Sequence, residues 1–464
     1  MAKKIIFFEL NEVPYRILDD YCRRHPRSNI SKYSALSRQY ITLTEDMGDL
    51  SPWKTWPSVH QGVGFENHLI SDFGMDLREV NREYPPIWKI LADHQVKVGL
   101  CGPLHSYPMV DDLENYAFYI PDTFAAGSEC FPKKLSAFQE LNLAMTRESG
   151  RNVSKDIPWA KALKFIARMP DLGIRLSTLK DLGLQLVNEQ LHDWQKIRRR
   201  TYQVNLVFDI FMKQLRKTRP DFAIFFTNHV ASSMHRYWAA AYPGDYDIVE
   251  FSEEWLSRYS HEIDFTMNEF DKFLGRLAAF CLQNDEYQLI IATSMGQAAT
   301  DAKPLKTQLY LRDPKRFMAK LGVEEWEQRP AMLPEFNFVL PEERASGFSA
   351  SLDKIHIQGR SLFYKRIKNF FVIGLGHMDL AAETLSFAGR DFPFADFGLV
   401  NELIQDQSRA TAYHVPQGML MLFDPRNPGN GQHRPEISNL EVAPFILRNF
   451  GIEKPDYMLS PAAL

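Results

Sequence analysis

The sequence predicts an α/β protein with a doubly wound, mostly parallel central sheet and helices on both faces. Three observations predict it. Short, wholly apolar runs of strand length recur along the chain, helical patterns fall between them, and several runs break into polar residues at their carboxyl ends. A strand covered on both faces has no solvent side, so it reads as a continuous apolar run rather than an alternation. Strands alternating with helices imply crossover units, whose ligands collect at the strands' carboxyl edge.

The elements follow in order. Ile5–Phe8 is the first strand and ends in Glu9-Leu10-Asn11-Glu12. One of the two glutamates is expected to face a cleft, and the other to face solvent or sit in the next helix's first turn, where carboxylates are favoured. Ser51-Pro52-Trp53-Lys54-Thr55-Trp56-Pro57-Ser58 reads as a turn. Trp88–His94 is a helix and Val96–Leu100 a strand. In the helix Tyr202–Arg216, Val204, Leu206, Val207, Ile210, Phe211 and Leu215 lie near one face. Phe222–Phe226 is the next strand and leads to Thr227-Asn228-His229; the helix Trp255–Leu282 follows. Gln288–Ala292 is a strand leading to Thr293-Ser294-Met295-Gly296, and Met419–Phe423 is the last, preceded by His414. Residues 125–200 form a helix-rich stretch without a strand pattern, and 300–400 hold scattered prolines and aromatic turns. Both are expected to be insertions capping the sheet's active edge within one domain spanning 1–464. Such insertions set substrate choice.

Composition excludes several classes. The chain has 464 residues, 45% hydrophobic and 13% aromatic, enough for a large core. Its net charge of −4 argues against a nucleic-acid binder. The one dense basic cluster, Lys196 to Arg200, is expected on a solvated helix face. Four widely spaced cysteines form no CxxC pattern and read as thiols in a reducing compartment. No stretch reaches the ~20 apolar residues of a membrane span, and the expectation is a cytoplasmic protein.

The ordered polar ends resemble the alkaline phosphatase superfamily, with its phosphodiesterase and nucleotide-pyrophosphatase branch the nearest. Leu10-Asn11 stands where that family's first strand ends in a metal-binding Asp. Thr55-Trp56-Pro57-Ser58 matches its TxP-like nucleophile turn, and Gly62 with Glu66-Asn67-His68-Leu69-Ile70 matches the stretch that follows. His235-Arg236-Tyr237-Trp238 matches the His that follows a later strand. Thr293-Ser294-Met295-Gly296 replaces the S-D-H-G strand end, and His414-Val415-Pro416-Gln417-Gly418 matches the final His. The segment Ile437 to Ile452 is similar to the closing helix. The resemblance spans nearly the whole chain in order.

It implies a hydrolase or transferase acting on a phosphate or sulfate ester, with a nucleotide or sugar as the organic part. In the family two metals clamp an in-line displacement. Here the positions of one site read Asn11, Thr55, Ser294 and Met295, and neutral Asn and a thioether do not suit such ions. At the other, position 231, four before His235, is Ala where the family has Asp. Three imidazoles, His229, His235 and His414, suit one zinc with an open position; no metal at all is the alternative. Thr55 is the expected nucleophile, helped by a metal, Lys54 or His60, or else an ordinary capping Thr. Asn11 either orients Thr55 or a substrate oxygen, or caps the next helix. Ser294 and Met295 read as packing residues. A non-catalytic relative that binds a ligand or partner in an emptied cleft is the competing expectation.

Overall fold

The computed structural model describes residues 2–147, 150–153, 158–431 and 433–461. Its centre is an eight-stranded sheet. From one edge to the other the strands are Glu436–Ser438, Arg38–Leu43, Gln417–Phe423, Tyr287–Ala292, Lys4–Leu10, Phe222–Thr227, Val98–Cys101 and Tyr116–Ile120. Only Gln417–Phe423 runs against its neighbours; every other pairing is parallel. The expected doubly wound, mostly parallel architecture is therefore present. In the first strand Ile6, Phe8 and Leu10 join one core, and Ile5 and Phe7 join a second. Helices Arg199–Thr218 and Glu262–Gln283 cover the first core; Ile87–Asp93 and Val442–Asn449 cover the second. Phe7 and Phe8 are fully buried, each contributing about 1.5–3 kcal/mol by removal from water. The carboxyl ends of Lys4–Leu10, Phe222–Thr227 and Tyr287–Ala292 lie side by side in register, which brings Asn11, Asn228 and Thr293 to one edge.

The structure differs from the sequence reading at several points. Ser51–Ser58 is not a turn. Pro52–Gln61 is a helix that Pro52 opens at its first position, where no N–H is needed. Trp255–Leu282 is two helices, Glu253–Tyr259 and Glu262–Gln283. The basic cluster is not a solvated face. Arg198 forks onto buried Glu262, Arg199 onto buried Glu189, and Arg200 donates to the carbonyls of Gly150, Arg151 and Asn152. A side chain with five donors goes where carboxylates and free carbonyls need them.

The stretch 125–200 holds three helices, Ser136–Arg147, Trp159–Leu172 and Leu176–Leu191; residues 148–149 and 154–157 of that expected insertion lie outside the described residues. Phe138 and Phe165 join the core on one sheet face. Residues 300–400 are β-rich. They form two four-stranded antiparallel sheets around a separate core that includes Phe338, Phe371 and Phe397, and a two-stranded pair, Thr307–Leu311 with Leu399–Leu403. Asn337 ties this unit to the body through the Phe73 carbonyl, 2.7 Å away.

Candidate functional site

The polar burst after the first strand turns sharply at Glu12, whose φ is 61°. A non-glycine residue in the left-handed region carries strain, and such residues concentrate at functional sites. The turn aims the Glu12 side chain inward, where it is 2% exposed. Glu9 is also buried, its Oε1 2.6 Å from His60 Nε2. Burial raises the Glu9 carboxyl, and His60 only partly offsets that. The expectation that one of these glutamates faces solvent is thus corrected; both point inward.

Two side chains from distant parts of the chain meet at Glu12. His235 comes from helix His229–Ala241, which follows the strand Phe222–Thr227. His414 comes from strand Ala412–Val415, paired with Gly296–Ala299. Glu12 Oε2 lies 2.9 Å from His235 Nε2 and 3.3 Å from His414 Nε2. The ligand atoms of Glu12, His235 and His414 all lie within 4.8 Å of one another. The other ring nitrogens are committed. His235 Nδ1 is 2.8 Å from the Ala412 carbonyl, and His414 Nδ1 is 2.6 Å from the Leu50 carbonyl. A carbonyl only accepts, so each Nδ1 carries the hydrogen, and each neutral ring then aims the Nε2 lone pair at Glu12. Three sets of lone pairs facing one another repel. The cluster needs either protons on the imidazoles or one cation among the three.

The electrostatics follow from that arrangement. Burial alone would raise the Glu12 carboxyl, but the charges of His414 and His235 and their hydrogen bonds outweigh it and hold Glu12 well below the usual carboxylate range. Burial would lower His414, and Glu12 beside it raises it instead. The donor set also fits a divalent ion. A buried carboxylate with two imidazoles, each oriented by a backbone carbonyl, is the ligand and outer-shell pattern of zinc sites that keep one position open. Ligands about 2.1 Å from a tetrahedral ion lie about 3.4 Å apart, so the two Glu12–histidine separations of 2.9 and 3.3 Å need open by only a few tenths of an ångström.

Beside this charged cluster lies a neutral one. Asn11 Oδ1 accepts from the Trp56 indole at 2.8 Å, while its Nδ2 donates to Glu12 Oε1 and Asn228 Oδ1, each at 2.7 Å. An indole only donates and a carboxylate only accepts, so this amide orientation is forced. Thr55 is fully buried; its Oγ1 is 2.8 Å from Ser294 Oγ and 3.2 Å from the Ser51 carbonyl. Neither Lys54 nor His60 is among those partners. Lys54 donates to the Asp49 carbonyl, and His60 is engaged by Glu9. Ser294 and Met295 are buried.

Asn11, Thr55, His235 and His414 are therefore linked in one network. His235 and His414 meet on Glu12, Glu12 meets Asn11, Asn11 meets the residue after Thr55, and the Leu50–Ser51 carbonyls hold both His414 and Thr55. His229 stands apart from that cluster. Its Nδ1 is 2.5 Å from the Thr227 hydroxyl, its ring packs on Phe273, and burial lowers it to about 3. Sequence reasoning missed Glu12 as the carboxylate partner. Four residues before His235 stands Ala231, and the acid arrives instead from the end of the first strand. The signal was present in the polar burst itself.

Fold and site together define an α/β protein with a His–His–carboxylate cluster at the sheet's carboxyl edge. No family model and no curated protein matches the chain. Among solved structures it is similar to murine ectonucleotide pyrophosphatase/phosphodiesterase 5, at 9% identity over 98% of this chain and 96% of that one, with a TM-score of 0.43. It is similar to phosphonoacetate hydrolase from Sinorhizobium meliloti 1021, at 12% identity over 97% and 95%, with a TM-score of 0.40. A mutant of TAB5 alkaline phosphatase gives 9% identity over 98% and 100%, with a TM-score of 0.39. At these scores the likeness assigns no chemistry, which has to come from the side chains.

Proposed function

We propose that the chain is a hydrolase or transferase acting on phosphate or sulfate esters, with one divalent ion, zinc by its ligand chemistry, held by Glu12, His235 and His414. The observation that carries the reading is the convergence of those three ligand atoms with both Nδ1 atoms bound to carbonyls. The motif order set out from the sequence supports the ester class, with a nucleotide or sugar as the organic part. Such an ion, when bound, stabilises charge developing on an ester oxygen. Gln297, which donates to Glu12 Oε2 and to the Ala231 carbonyl, fixes the carboxylate. Asn11 holds its second oxygen. His235, a quarter exposed on its side chain, marks the open flank, and Tyr413 borders it. Thr55 is the alcohol in the nucleophile position, and in this reading it reaches substrate after leaving Ser294 and Ser51.

One observation favours a second reading, a non-catalytic protein that binds a ligand in the cleft. Thr55 is sealed, and Asn11 and Ser294 beside it are buried and hydrogen-bonded. The experiment that separates the two is metal analysis of the purified chain joined to turnover of aryl phosphate mono- and diesters. The proposal expects about one zinc per chain and turnover that Thr55→Ala abolishes while metal content stays unchanged. Bound zinc without turnover supports the second reading, and absence of both zinc and turnover removes the first.

A further inference from the structure

In the helical pair Trp159–Leu172 and Leu176–Leu191, the second helix packs Leu182 half-buried on the core but buries no apolar side chain fully. In Leu176–Leu191 the buried residues are polar: Thr178, Gln185 and Glu189. Each is satisfied. The Thr178 hydroxyl donates to Asp209 at 2.6 Å, the Gln185 amide donates to the Gln195 carbonyl at 2.8 Å, and Arg199 forks onto Glu189. The opposite side carries Leu176, Leu184, Val187 and Leu191, which are 84%, 52%, 59% and 72% exposed. Their spacing follows the helical repeat, so they form one stripe. The preceding helix sends Ala162, Phe165 and Leu172 into the core and leaves Trp159, Leu163 and Ile166, at i, i+4 and i+7, exposed. Both helices pack on Arg199–Thr218. Single exposed leucines need no explanation; two successive apolar stripes do.

Charge identifies what covers them. Residues 158–191 contain five cations, Lys161, Lys164, Arg168, Arg175 and Lys180, against three acids, Asp171, Asp181 and Glu189, the last buried under Arg199, in a chain whose net charge is −4. Lys164 pairs with Glu140 and Arg168 with Asp171. Lys161, Arg175 and Lys180 are exposed and form no ion pair among the described residues. Apolar stripes with a tryptophan at one end and cations alongside match an anionic lipid surface, where the ring and leucines enter the headgroup boundary and the cations meet phosphates. A second copy docked face to face would bring the same cations together. The helices, 14 and 16 residues long, are too short to span a bilayer.

We propose that this helical pair seats the protein in the plane of an anionic lipid surface. The test is cosedimentation of the intact chain with phosphatidylcholine vesicles, with and without phosphatidylglycerol. Binding is expected only with phosphatidylglycerol, and it weakens as salt rises. Lys161→Gln with Lys180→Gln is expected to weaken it about fivefold per charge. Val187→Glu with Leu191→Glu is expected to weaken it by at least about tenfold. Should that last variant fail to fold, the intact chain still decides: its tryptophan emission shifts to the blue on phosphatidylglycerol vesicles, and Trp159→Phe removes part of that shift. Failure to sediment with either vesicle, or equal binding to both, overturns the proposal. So does a lipid-free dimer that Val187→Glu abolishes, because then a second copy occupies the face.

Discussion

Two halves of one cleft solve the same problem differently. On one side Glu12, His235 and His414 gather a carboxylate and two imidazoles within 4.8 Å. On the other, Asn11, Thr55 and Ser294 occupy the edge with neutral groups that bond one another and Trp56. The charged half leaves an unmet demand, since its lone pairs require protons or a cation. The neutral half leaves none, because each amide and hydroxyl hydrogen has an acceptor at hydrogen-bond distance. Demand for a cation therefore lies on one side of Asn11 only, and Asn11 is the joint between them, donating to Glu12 and accepting from Trp56.

The largest effect expected from breaking this comparison is at Glu12. Glu12→Gln keeps the shape and removes the negative charge that draws two imidazoles together. Zinc content is expected to fall from about one per chain to near zero. Affinity should drop by more than the 10–100-fold that loss of an outer-shell partner costs. Titration of the chelator-stripped variant with zinc, followed by calorimetry, measures it. Wild-type affinity in the variant would show that Glu12 is not a ligand.

Asn11→Asp is the next test, because it makes the neutral half charged. The new carboxylate loses both N–H donations and faces Glu12 Oε1, now 2.7 Å from the amide nitrogen. A buried charge without a partner costs about 3 kcal/mol, so the melting temperature should fall. Added zinc should restore part of the loss in the variant if the second carboxylate completes a second site. A variant as stable as wild type without zinc would show that the neutral half tolerates charge.

Most of the sheet was legible because a strand buried on both faces has a distinctive sequence. Ile5–Phe8, Phe222–Phe226 and Gln288–Ala292 could be little else. Arg38–Leu43 escaped notice because an outer strand mixes Arg, Gln and Thr with its apolar residues, and Glu436–Ser438 because three residues carry no period. His235 and His414 were legible from motif order. Glu12 was visible but unassigned, since only the turn at φ 61° decides which way a side chain after a strand points. Nor could the sequence show that Thr55 is enclosed, because burial of a helical hydroxyl depends on Ser294, 239 residues away.

The smallest effect, counted per pH unit, concerns acid, and it enters through the neutral half. Helix Pro52–Gln61, which carries Thr55, also carries Ser58, whose hydroxyl donates to Asp46 at 2.7 Å and lies 3.0 Å from His68 Nε2. His68 Nδ1 accepts the Ile70 N–H at 2.9 Å, so the ring is held neutral with its hydrogen on Nε2. Burial lowers His68 from 6.5 to about 3. The unfolded chain takes up a proton below pH 6.5 and the folded chain does not until about pH 3, so across that window the unfolded state binds more protons and stability rises with pH. Lowering the pH from 6.5 should therefore cost up to about 1.4 kcal/mol per unit through this residue. His68→Gln, which offers an acceptor to Ile70 without a titrating group, should flatten that part of the slope in urea unfolding measured between pH 6.5 and pH 4. An unchanged slope would place the acid sensitivity in the other buried imidazoles, such as His105 and His229, which burial also lowers.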